Sequence, residues 1–122
     1  MPWNTTLNLA QKMIIIQTWG TFKLEDANRM RNEGAALIRQ HGLLQGLLDH
    51  SQLEAYTLQT MEIYELPKRY QELGISHRFK LAVVVPEMLR RDMAFYETVC
   101  RNNGYLVSVF FEQGEALAWF LS

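Results

Sequence analysis

A chain of 122 residues is close to the commonest domain size and can bury one core, so we expect a single domain over 1–122. Of its residues, 48% are hydrophobic and 20% are charged, which excludes a disordered or fibrous protein. Twelve basic and thirteen acidic residues give a net charge of -1, which leaves no positive field to hold a nucleic acid. We therefore expect no nucleic-acid partner.

The cysteine content and the amino terminus bear on the compartment. Cys100 is the single cysteine and has no partner for an internal disulfide, which favours a reducing compartment. The segment "MPWNTTLNLAQKM" lacks the basic region and apolar stretch of a signal peptide. No apolar run reaches the length of a membrane span. We expect a soluble, cytoplasmic protein.

The first third of the chain predicts a hairpin and then a helix. The extended runs "TTLNLA" and "KMIIIQTWG" are separated by a short polar break, which is typical of antiparallel strands. Three successive isoleucines at 14–16 favour a strand that is buried on both faces. Apolar residues at three- and four-residue steps predict an amphipathic helix from Leu24 to Gln40, which Gly42 ends.

The remaining elements alternate between strands and helices. From Leu47 to Thr60 we expect the end of a buried strand, a polar turn and the start of a helix, with a kink or a new helix at Pro67. "FKLAVVV" and "YLVSVFF" predict strands, and residues 88–102 and "EQGEALAWFL" predict helices. The order β-β-α-β-α-β-α-β-α predicts an α/β fold with a mixed, mostly parallel sheet.

Two runs near the carboxyl end carry a resemblance to a known family. Val107, Val109 and Phe110 form a "V-x-V-F" strand end, and 115–119 read "EALAW". With "TWGTFKLEDA" as a strand-to-helix turn and the same order of elements, the chain resembles the SpoIIAA-like group, which has the STAS fold of anti-sigma-factor antagonists. The resemblance implies one STAS-like domain and a non-enzymatic regulatory or protein-interaction role.

The resemblance also directs attention to the loop after the third strand. In phospho-regulated STAS proteins this loop carries a "D-S-S-G"-like motif, and matching Asp49 to the aspartate before it puts Leu58 at the phosphoacceptor position. Phosphate needs a hydroxyl, so the switch does not carry over to that residue. Nearby hydroxyls serve either as helix caps or as phosphoacceptors, and capping is the commoner role. The candidate interaction or ligand loop comprises Asp49, Ser51, Tyr56, Thr57 and Thr60.

The chain contains no catalytic or metal-binding motif. His41, His50 and His77 form no "H-x-x-x-H" pair, and neither of the glycine-rich phosphate-binding patterns occurs. Asp49, His50 and Ser51 are consecutive, so their side chains point in different directions and do not make a triad. We interpret His50 as a surface turn residue and Cys100 as a packed, inert thiol. We expect no catalytic residue, no metal and no cofactor.

A possible binding site remains at the helix that follows "AVVVP". Glu87, Arg90 and Arg91 open this helix, where free N–H groups and guanidinium groups favour an anion. The alternative is a hydrated first turn with surface arginines. Beside it, Tyr56, Met61 and Tyr64 either line an apolar pocket or belong to the core.

The strands also make a prediction about what covers the sheet. "MIIIQ", "LAVVV" and "LVSVFF" are nearly continuous in apolar residues, so both faces should be covered, with Trp119 buried beside Ala116, Leu117 and Phe120. If the helices gather on one side, we expect a homodimer through the sheet or the amino-terminal hairpin.

These observations rank three functions. A non-enzymatic interaction domain with a STAS-like fold ranks first. A small carrier or sensor that binds an apolar, lipid-like molecule or an anionic one ranks second, since this fold is topologically similar to the SEC14-type lipid-binding fold. A hydrolase ranks last. A closed pocket between the sheet and its helices would distinguish the first two.

Overall fold

The computed structural model describes residues 2–57 and 59–122, which form a five-stranded sheet and four helices. The strands are β1 (Trp3–Asn8), β2 (Met13–Phe22), β3 (Gln45–Tyr56), β4 (Lys80–Val84) and β5 (Leu106–Phe110). The helices are α1 (Leu24–His41), α2 (Thr60–Glu72), α3 (Arg90–Asn102) and α4 (Gln113–Phe120). The predicted order of elements and the mixed, mostly parallel sheet are confirmed.

Strand order in the sheet follows the chain order. β1 and β2 are antiparallel, as the short break between them predicts, and β2 to β5 are parallel. Because crossovers between neighbouring parallel strands are right-handed, α1, α2 and α3 all lie on one face. Gly42 ends α1 in the left-handed conformation, with φ of 61°, as predicted.

The main core lies between the sheet and these three helices. Ile16, Leu48 and Val83 point into it from three neighbouring strands, and all three helices contribute side chains. α4 covers the opposite face, where Ala116 packs with Leu47, Ala82 and Val84. β4 is therefore buried on both faces, as its apolar run predicts. The same prediction is wrong for β2, because Gln17, Trp19 and Thr21 are exposed on the face opposite the main core.

β3 is longer than the sequence predicts, and the expected polar turn is wrong. Residues 50–56 continue the strand, because the ten-residue β2 offers a partner as far as the pair Phe22–Tyr56, well beyond the last β3–β4 pair, Asp49–Val84. His50 is consequently buried, with 3% of its surface exposed, and the prediction of a surface turn residue is also wrong.

The helices decide two further expectations. Of the two alternatives at Pro67, a kink or a new helix, the new helix is wrong, because α2 runs through this buried residue as one helix. Trp119 is only partly buried and Leu117 is 42% exposed, because α4 has eight residues and covers only part of its face.

The part of this face over β1 and β2 lies beyond α4 and is mainly polar. Asn4, Thr6, Gln17 and Thr21 are exposed there, and the exposed Trp19 is the large apolar exception. Three helices do gather on one side, but the surface left open is one that water solvates well. The expectation that a second copy of the chain covers this face of the sheet is therefore weakened.

Candidate functional site

A cavity of about 100 Å³ lies between α1, the α2–α3 pair and the sheet. α2 packs closely against α3, whereas α1 rests chiefly on β2, so the space between α1 and α2 is incompletely filled. Small residues widen it: Gly34 and Ala35 face it from α1, and Gly46 faces it from β3. Its apolar lining includes Ile14, Ile16, Met30, Leu66, Phe79, Leu81 and Met93.

His50 is the first of several polar groups in this apolar lining. Its Nδ1 lies 2.7 Å from Oγ1 of Thr18, and that hydroxyl lies 3.3 Å from the carbonyl oxygen of Asp49. Both contacts are hydrogen bonds if Nδ1–H donates to Thr18 and Thr18 donates to the carbonyl. Burial lowers the pKa of His50 to about 4, so the imidazole is neutral near pH 7.

Three of the four tyrosines in the lining supply the next polar groups. The hydroxyls of Tyr70 and Tyr96 are 2.6 Å apart and hydrogen-bonded, and burial raises the pKa of each well above its ordinary value. Tyr105 stacks on His77, with ring centroids 4.1 Å apart. Its buried hydroxyl has no hydrogen-bond partner within residues 2–57 and 59–122. A buried hydroxyl without a partner costs free energy and is satisfied by a water or a ligand.

Arg31 is the one permanently charged side chain in the described lining. It is partly buried on α1, and its Nη1 donates to Oδ1 of Asn28 at 2.9 Å. Arg31 and Leu66 also border a surface groove between α1 and α2, which contains Glu62 and Glu65. Arg31 therefore stands between the cavity and the exterior.

The predicted interaction loop is only partly a loop. Asp49 and Ser51 belong to β3, where Oδ1 of Asp49 accepts the backbone N–H of Ser51 at 2.9 Å. Tyr56 ends β3 and lines the cavity, while Thr57 and Thr60 are exposed on either side of Leu58, which lies outside the described residues. Asp49 pairs with Gln17 on the face opposite the cavity, and within the described residues its carboxylate hydrogen-bonds to Ser51 and not to the His50 ring, as a triad would require.

The predicted anion contacts, Arg90 and Arg91, are the first two residues of α3. Arg90 donates to both carboxylate oxygens of Glu87, at 2.6 and 2.8 Å, and its guanidinium lies 4.0 Å from the centroid of Phe111. This pair neutralises the charge on Arg90. Arg91 is exposed to solvent beside it.

Exposed apolar side chains gather at the carboxyl edge of the sheet. Leu24, Met61, Met88 and Phe111 each follow the end of a different parallel strand, and their exposure ranges from 39% to 66%. Tyr64, one turn after Met61, is 65% exposed. Parallel strands end at the same edge, so we call these five residues the apolar rim.

Sequence reasoning missed both His50 and Arg31 as cavity residues. For Arg31 a signal exists: it lies four residues after Ala27 and four before Ala35, both buried, which places it on the inner side of α1. For His50 the signal is weaker, because it depends on recognising that β3 continues through Leu53, which is buried between the exposed Gln52 and Glu54.

The strand order and helix placement define a SpoIIAA-like fold, the STAS fold that the sequence resemblance implies. The structure of the anti-sigma factor antagonist SpoIIAA in its unphosphorylated form matches with a TM-score of 0.62 and 12% identity, over 98% of each chain. An uncharacterised protein of the DUF3478 family with a SpoIIAA-like fold, from Shewanella loihica, matches with a TM-score of 0.55 and 18% identity. That match covers 96% of this chain and 92% of the other.

No protein-family model matches the sequence, and no curated protein matches it. Among the described residues, no helix is long and apolar enough to cross a membrane. The same residues contain no group of three or more His, Cys, Asp or Glu side chains placed to hold a metal ion.

Proposed function

We propose that the protein is a non-enzymatic sensor or carrier domain that binds a small, predominantly apolar molecule between its sheet and helices. The sequence ranks this function second, after a protein-interaction domain. The observation that favours it is the cavity of about 100 Å³ beneath α1. Protein interiors are normally close-packed, and an engineered apolar cavity of about 150 Å³ in another protein binds benzene.

Native mass spectrometry of freshly purified protein tests this proposal. We expect a mass above the 14.3 kDa of the chain, which returns to 14.3 kDa after denaturation. Gly34→Leu fills the cavity and should remove the added mass. Ala36→Leu makes the same kind of change on the exposed side of α1 and should leave it. An added mass that survives in Gly34→Leu would place the ligand elsewhere. A bare chain that also fails to bind small apolar compounds would contradict the proposal.

A second candidate function is regulation through contact with another protein, and the apolar rim favours it. Its five exposed apolar side chains all follow strand ends at one edge of the sheet, and exposed apolar surface on a soluble domain commonly marks an interaction site. SpoIIAA is an anti-sigma factor antagonist with a similar fold, which supports a regulatory role of this kind for the present chain. The rim lies beside Thr57 and Thr60, so the predicted interaction loop would belong to the same surface.

Site-specific photo-crosslinking in the native cell tests the rim. A crosslinker in place of Tyr64 should yield a discrete adduct with a second protein. The control position is Leu44, which is 61% exposed but precedes β3 at the opposite edge of the sheet. Equal adducts from both positions, or none from Tyr64, would contradict this function.

We also retain the homodimer as a proposal, through the edge of β1. The other edge strand, β5, is engaged: Arg101 donates to the carbonyl of Val107 at 2.8 Å, and Glu97 accepts the N–H of Val109 at 2.6 Å. In the part of the chain that the structure describes, no side chain blocks the β1 backbone in this way. An unblocked edge strand can pair with a second copy.

The location proposed for the protein is the cytoplasm. It has one cysteine, Cys100, whose thiol is fully buried, and burial raises its pKa to about 12. Such a thiol is protonated and unreactive, which suits a protein that depends on no disulfide.

A further inference from the structure

We infer that the molecule held in the cavity is a small apolar monocarboxylate, with its carboxylate paired to Arg31 and its hydrocarbon part beneath α1. This inference rests on the proposed ligand-binding function and identifies the chemical class of the ligand. Three observations support it: the charge of the cavity lining, the polar groups of the lining that are not fully hydrogen-bonded, and the volume of the cavity.

The charge of the lining is the first argument. Arg31 brings one positive charge to a cavity that is otherwise neutral, since His50 is uncharged near pH 7 and the tyrosine hydroxyls are protonated. Its charge acts on the cavity groups: it lowers the pKa of His50 and opposes the rise at Tyr56 and Tyr70. An amine would be repelled from this site, and a dianion would exceed the single charge available.

The missing partners are the second argument. No carboxylate in the described residues lies within 4.0 Å of the Arg31 guanidinium, although Glu62 and Glu65 line the surface groove between α1 and α2 that Arg31 also borders. Of the five N–H groups of Arg31, one donates to Asn28, and the hydroxyl of Tyr56, which also lines the cavity, is a second side-chain partner, so the fork is not fully occupied. A partly buried guanidinium pairs best with a planar carboxylate through two parallel hydrogen bonds. The unpartnered hydroxyl of Tyr105 is a second unsatisfied polar group in the same lining.

The volume of the cavity limits the number of carbons in the hydrocarbon part of the ligand. A space of about 100 Å³ is smaller than the engineered cavity that holds benzene, so a body of about six carbons is the upper range without movement of α1. Hexanoate has six carbons in all, five in its hydrocarbon part and one in its carboxylate. 1-Hexanol and hexylamine carry a neutral and a positive end on a hydrocarbon part that is one carbon longer, so tighter binding of hexanoate would reflect its charge and not greater apolar burial.

Calorimetric titration of the three compounds at pH 7 tests the inference. We expect hexanoate to bind at least about tenfold more tightly than 1-hexanol, and hexylamine to bind least, since a charged hydrogen-bonded pair is worth a factor of that order. Arg31→Gln should remove the preference for hexanoate while leaving 1-hexanol unchanged. Arg29→Gln, on the exposed side of the same helix, should change neither.

Other outcomes would overturn the inference, either alone or together with the proposed function. If 1-hexanol binds as well as hexanoate, or if Arg31→Gln keeps the preference, the inference is overturned while the ligand-binding function stands. If none of the three compounds binds the wild-type protein, the inference is overturned together with that function. Arg31→Lys covers the case in which Arg31→Gln misfolds: it keeps the charge but loses the planar fork, so the preference should shrink without disappearing.

Discussion

Replacing Gly34 by Ala should stabilise the protein while weakening ligand binding. Glycine in a helix interior is about 1 kcal/mol less favourable than alanine. A Cβ at this position would lie 3.4 Å from Cδ1 of Ile16, which is an ordinary van der Waals contact, so the methyl group fits without displacing its neighbours. Burial of that group adds up to about 0.8 kcal/mol. The expected gain in the free energy of unfolding is about 1 to 2 kcal/mol, and the methyl group takes volume from the ligand.

Urea denaturation and hexanoate titration of the same variant measure the two effects. The matched variant is Gly46→Ala, on the opposite wall: its Cβ would lie 2.9 Å from Cζ of Phe79 and 3.1 Å from Cγ2 of Ile14. Overpacking of this kind costs about 1 to 3 kcal/mol, so this variant should be less stable than the wild type. If Gly34→Ala is also destabilised, or binds hexanoate unchanged, the space beneath α1 is not the one described here.

Three other properties give testable predictions. His50 has a pKa of about 4 in the folded protein and 6.5 in the unfolded chain, so the unfolded chain binds more protons between these pH values. The free energy of unfolding should therefore fall by about 3 kcal/mol as the pH drops from 6.5 towards 4. Urea titrations at several pH values measure this slope, and His50→Gln should remove it. Incubation with a serine kinase of the anti-sigma type should leave residues 51–60 unmodified, and stoichiometric phosphate on Thr57 or Thr60 by mass spectrometry would contradict this. Trp119→Ala should cost about 2 kcal/mol in urea denaturation, below the 3 to 5 kcal/mol of a fully buried tryptophan, because the ring is partly exposed and packs on Phe110 and under Lys80.

The proposed homodimer is tested by light scattering at micromolar concentration. Pairing through β1 predicts a mass near twice 14.3 kDa that falls on dilution. A mass that stays at 14.3 kDa as the concentration rises would exclude it and show that α4 and the polar surface over β1 and β2 suffice.

The fold was accessible from the sequence because each element carries its own period. The isoleucines at 14–16, the run "LAVVV" and the three- and four-residue steps of α1 fix strands and helices locally, and the short breaks between them fix their order. Gly42, which ends α1 in the left-handed conformation, is a single residue whose role was also predictable from the local sequence. These features depend on neighbours in the chain, which a sequence displays.

The candidate site was less accessible because it depends on neighbours in space. His50 is buried only because β2 extends far enough to pair with the second half of β3. The cavity exists because α1 stands apart from α2 above Gly34 and Gly46, and a helical period shows which side faces inward but not whether that side is filled. Trp119 was misjudged for a similar reason, since its exposure is set by how far a short helix reaches across the sheet.

The methyl groups of methionine offer the most direct test of the cavity as a ligand site. Met30 and Met93 are buried and line it from α1 and α3, whereas Met61 and Met88 are exposed at the apolar rim. In protein labelled with ¹³C at the methionine methyl groups, added hexanoate should shift the resonances of Met30 and Met93 saturably and leave those of Met61 and Met88 in place. Shifts confined to Met61 and Met88, or none at any methionine, would contradict a ligand site beneath α1.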